Sequence, residues 1–154
     1  MLGERHAFRL WATVTLFAIV AGVVARGLPS EPTVEDLKSR LASASVGDKP
    51  HLCVQIAEKQ VAEADKLYAT GDYEKGQVAL TDVTTYSELA RDYAVQSHKY
   101  QKQSEIAART MIRKLTDLLH SLGHDDRPPV QDAINHLERV RDDLLMAMFP
   151  KGAK

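Results

Sequence analysis

The chain has 154 residues, with 20 Lys and Arg against 21 Asp and Glu and a formal net charge of −1. So even a balance supplies no general attraction to polyanions, and no nucleic-acid partner is expected. A single cysteine, Cys53, excludes an internal disulfide framework, so stability has to come from helix packing.

The first feature in chain order is an export signature. Arg5, His6 and Arg9 precede the uncharged run LWATVTLFAIVAGVVA, residues 10–25, which stops at small residues and is followed by Arg26. This pattern predicts a signal peptide over residues 1–25, cleaved after Ala25. The alternative is an N-terminal membrane anchor formed by residues 10–25, although a span needs roughly 20 apolar residues. Either reading places the rest of the chain outside the cytoplasm, in the periplasm or beyond. Cleavage would remove Trp11, Phe8 and Phe17, leaving Phe149 and the five tyrosines as the aromatic residues.

Residues 26–33 (RGLPSEPT) read as a linker, residues 34–149 as an α-helical domain and residues 150–154 as a C-terminal tail. Thr33 with Asp36 three residues on suggests a capping box for a short first helix ending near Gly47. Asp48 is the expected cap of the second helix, with Pro50 in its first turn. Val54, Ala57, Val61, Ala64 and Tyr68 then recur at alternating steps of three and four, the seam of one helix against another. Gly71 ends this helix, and Asp72 caps the next.

From residue 77 to 122 there is neither proline nor glycine. A seam runs unbroken from Tyr73 through Gly76, Leu80, Val83, Ser87, Ala90, Ala94, Ser97, Gln101, Ser104, Ala108, Met111, Leu115 and Leu118 to Leu122. The favoured reading is one continuous helix over residues 73–122. The alternative is a break within residues 98–104, giving a compact four-helix bundle. Gly123 and the polar stretch GHDDRPP end the segment. Asp126 is then the expected cap of a last helix carrying Val130, Ala133, Ile134, Leu137, Val140, Leu144 and Met148 on one side, before Pro150. Folding at Gly71 sets Tyr68 beside Gly76. Folding near Asp125 sets Leu118 beside Ala133 and brings Arg113 and Arg109 near Glu138 and Asp142. The expected class is all-α, built of antiparallel helical hairpins on one long central helix.

The segment LYATGDYEKGQVAL, residues 67–80, resembles the central turn of a tetratricopeptide repeat, with Gly71, Asp72 and Tyr73 at the turn and Ala64 where a small residue is usual. The resemblance covers one repeat and implies a helical hairpin, because the family's peptide groove needs several stacked repeats.

Three constellations could carry function. Tyr86, Tyr93 and Tyr100 form a ladder at steps of seven, with Leu89 and Ile106 near the same flank. Tyrosine joins apolar area to a polar tip and suits a surface buried in a complex or under the first helix. Lys99, Lys102, Arg109 and Arg113 make a weak basic patch, suited to anionic lipid or to pairing with nearby carboxylates. His120, His124 and Asp126 are the candidate metal ligands, against the simpler role of charges at helix ends. No phosphate-binding glycine loop, nucleophile elbow, paired-cysteine motif or CxxCH haem site occurs, so neither an enzyme nor a cofactor is expected. The expected role is an exported envelope scaffold that binds an envelope protein or itself. Membrane contact is expected only through an uncleaved N-terminal segment or the basic patch. The runner-up is a small periplasmic stress-response or metal-binding protein.

Overall fold

A computed structural model describes residues 31–150. The expected signal peptide, most of the linker and the last residues of the tail lie outside them. Among the described residues the fold is all-α, without strands. It comprises α1 (Val34–Ser43), α2 (Lys49–Ala69), α3 (Tyr73–Ser97), α4 (Gln101–Ser121) and α5 (Arg127–Met148), with a 3-10 turn at His124–Asp126. No described helix is long and apolar enough to cross a membrane.

Local chemistry sets most of the boundaries. The Thr33 hydroxyl accepts from the Asp36 amide at 3.2 Å, and the Asp36 carboxylate accepts from the Thr33 amide at 3.1 Å, closing the capping box of α1. At the end of α2, Gly71 takes a φ of 79°. The Asp72 amide donates to the Leu67 carbonyl at 2.9 Å and the Gly71 amide to the Tyr68 carbonyl at 3.2 Å. This paired arrangement satisfies carbonyls that a helix end would otherwise leave open. Asp72 then caps α3 by accepting from the Lys75 amide.

Two expected caps do not form. Asp48 and Asp126 both have right-handed helical backbone, and neither side chain makes a capping hydrogen bond. In that conformation the carboxylate no longer faces the free amides of the first turn. Asp48 instead accepts from the Ser45 hydroxyl at 2.6 Å, and at Asp126 the 3-10 turn winds straight into α5.

The long helix is also broken: α3 ends at Ser97, and His98 (φ 55°) and Tyr100 (φ 60°) lie in the left-handed region before α4 begins. Left-handed backbone costs an ordinary residue roughly 1–2 kcal/mol. Burial outweighs that cost. The seam between Ser87 and Ser104 is small or polar, so a lone straight helix would leave the apolar faces of both hairpins in water. Folding back at residues 98–100 lays the α2–α3 hairpin against the α4–α5 hairpin, with α2 on α4 and α3 on α5.

The main core gathers one end of all four long helices: Val61, Ala64 and Tyr68; Ala79, Leu80 and Val83; Met111, Leu115 and Leu118; Val130, Ile134 and Leu137. The other end is thinner, with Ala94, Ala108, Val140 and Leu144. A side cluster seats α1, where Leu37 packs on Leu52 and Ile56. The architecture is therefore a four-helix bundle with a short helix strapped to its side.

Candidate functional site

Tyr86 and Tyr93 stand on α3 and Tyr100 in the elbow after it, and the three are covered from α1 and α2. Tyr86 packs against the Leu37, Leu52 and Ile56 cluster, and the Lys38 ammonium stands 5.4 Å from its ring centre. The Lys49 ammonium stands 5.0 Å from the Tyr93 ring. Tyr100 stacks on His51 with ring centres 5.6 Å apart and planes 21° apart. A cation over a ring face is attracted by the ring quadrupole, so Tyr86 and Tyr93 are partnered by lysines and Tyr100 by the stacked His51 ring. Of the flanking residues, Leu89 is half-buried and Ile106 is 48% exposed on α4. His51 gave no signal in the sequence, because its role depends on an elbow that no local motif marks.

The strap is tied by charge as well. Asp82 of α3 accepts from Lys38 of α1 at 3.2 Å and from Gln60 of α2 at 3.0 Å. Asp82 thus holds three helices together beside Tyr86.

The basic residues differ in their surroundings. Lys99 lies in the elbow with its aliphatic stem over Gly47, and Lys102 is exposed in the first turn of α4. Arg113 is exposed and makes no ion pair among the described residues, so the expected contact with Glu138 is not formed. Arg109 holds both oxygens of Glu105, at 2.6 and 2.7 Å, rather than reaching Asp142. Glu105 is only 4% exposed, and its neighbour four residues on in α4 is the nearest cation able to satisfy it. Asp142 pairs instead with Arg141, while Arg91 bridges α3 to α5 through Asp143 at 2.9 Å.

His120 and His124 are both exposed, one near the end of α4 and the other in the 3-10 turn beyond it. Asp126 ends that turn, and no described cluster of three or more His, Cys, Asp or Glu side chains could hold a metal ion. His136 meets Glu88 of α3 at 3.0 Å. Cys53 of α2 is fully buried, and burial pushes its thiol up to about 11.

One surface was not legible in the sequence. Val95 of α3 and Met146 of α5 line a groove with Arg91, Gln96, Asp143 and Ala147, at the thin end of the bundle. Val95, Met146 and Phe149 are 38%, 60% and 72% exposed. The one available hint was Phe149 placed directly before the helix-stopping Pro150. The groove itself arises from two helices far apart in the chain.

No protein-family model matches this chain, and neither curated proteins nor solved structures give a match to it.

Proposed function

We propose that this is an exported helical envelope protein that acts as a protein-interaction scaffold, engaging its partner at the thin end of the α3–α5 face. The reading takes residues 1–25 as a signal peptide and α2–α3 as a lone hairpin of the tetratricopeptide kind. The observation that carries it is the exposure of Val95 and Met146 in one groove, with Phe149 exposed three residues after Met146 at the end of α5. Large apolar side chains left together in water mark a contact surface. The tyrosine flank is a weaker choice, because Lys38, Lys49 and His51 already cover its rings.

Two measurements test the two halves of this reading. Intact mass of protein recovered outside the cytoplasm is expected to lack residues 1–25. Retention of that segment by a cytoplasmic protein overturns the export reading. A photo-crosslinker on α5 is expected to capture an envelope protein, and V95S/M146S/F149S is expected to abolish capture while helicity and unfolding midpoint stay unchanged. Undiminished capture by that variant, with V78S at the other end of α3 as control, overturns the surface assignment.

A further inference from the structure

The elbow between α3 and α4 has an unusual combination of features. It spans only residues 98–100, contains no glycine or proline, and places two ordinary residues, His98 and Tyr100, at positive φ. Tyrosine is bulky, and its left-handed backbone is a genuine outlier. The seam also keeps its phase across the break. Buried Ala90 and Ala94 before it and buried Ser104 and Ala108 after it belong to one uninterrupted alternation of three and four. An elbow built only as a turn has no reason to preserve helical phase through itself. Nothing in its sequence opposes a helix running straight through.

We infer that the elbow is a hinge for exchange between two copies of this chain: α3 and α4 straighten into one helix, and the α2–α3 hairpin of each copy packs on the α4–α5 hairpin of the other. The contacts between the two hairpins, α2 on α4 and α3 on α5, are then made again between chains, while those within each hairpin stay inside one chain. Straightening relieves the two left-handed residues and adds helical hydrogen bonds across the elbow. Against it stand the local ties of the closed form: the Tyr100–His51 stack, Lys99 over Gly47, and the Ser97 hydroxyl accepting from the Lys99 amide at 3.3 Å. A strained, short hinge joining two units that bury their faces on each other is the usual setting for domain swapping. The partner is therefore a second copy of this chain. The inference does not rest on export or on the groove beside Val95.

The test is refolding of the full chain from denaturant over a range of concentrations, with light scattering to read its mass. A dimer is expected to grow with concentration. Spin labels at Val78→Cys and His120→Cys, diluted with unlabelled chain, read the distance within one chain; buried Cys53 is left in place. In the swapped dimer those sites lie about 60 Å apart along the straight helix, and in the closed monomer at well under half that. H98G and H98G/Y100G ease the closed elbow in both chains and weaken the straight helix, so the double variant is expected to lower dimer affinity by at least about a hundred-fold, even with the Tyr100–His51 stack lost. Y100V, which is worse at positive φ and cannot stack on His51, is expected to raise it. A chain that stays monomeric throughout, in native form and as Y100V, overturns the inference. So does a dimer that keeps the short distance within each chain, or one indifferent to both glycine variants.

Discussion

Gly76 and Tyr68 show how closely α2 and α3 approach at their shared turn. A Cβ at Gly76 would fall 2.7 Å from the Tyr68 ring, which is itself buried. Alanine there improves helix propensity by roughly 1 kcal/mol, but the overpacking costs about 1–3 kcal/mol. G76A is therefore expected to be destabilising, read as a lower urea midpoint. Cys53 makes the opposite kind of statement, about chemistry withheld. Burial raises its thiol from an ordinary 9.0 to about 11, with Lys49 offsetting only part of the effect. The native protein is expected to be inert to thiol reagents at pH 8 and to react once unfolded. A raised value means that this contribution to stability is complete below pH 9 and is lost as the pH climbs toward 11. The urea midpoint should fall more steeply over that window in the native protein than in C53A, where Tyr68, also raised by burial, still titrates.

Single helices in this fold depend on their ends and on one partner each. Thr33 supplies the side-chain cap of α1, and T33A is expected to reduce its local stability by about 1 kcal/mol, seen as faster amide exchange over residues 34–43. The Asp36 carboxyl is held below its ordinary 3.8, chiefly by its hydrogen bonds to Thr33. Its contribution is thus present above that value and lost as the pH falls below it. On α4, Glu105 depends on Arg109 in a similar way. R109A strands a buried carboxylate and is expected to cost about 1–3 kcal/mol, most of which R109A/E105Q should recover. A simple loss of surface charge would show no such recovery in the unfolding midpoint.

The whole molecule is unevenly built. Leu137 sits in the broad core at one end, whereas Leu144 shares its cluster with Ala94, Ala108 and Val140. L137A is expected to destabilise by about 2–5 kcal/mol, and L144A by less, because small neighbours give it fewer contacts to lose. Amide exchange should accordingly be faster in the last turns of α3 and the first turns of α4 than at the other ends of those helices. The groove beside Val95 and Met146 lies at this same thin end.

The helices, apart from the division between α3 and α4, and both hairpin pairings were legible from residue order alone. The capping box at Thr33, the left-handed turn at Gly71, the pairing of Tyr68 with Gly76 and the buried side of α5 were all legible, because each depends on residues near one another along the chain. The break at His98 and Tyr100 was not. Locally it is unfavourable, and only the burial of one hairpin on the other sustains it. The same tertiary contacts decided that His51 would cover Tyr100, that Arg109 would serve Glu105, and that Val95 and Met146 would share a groove. Short-range periodicity writes the elements. Where a chain turns against its own propensity is decided by the free energy of packing that only the complete fold provides.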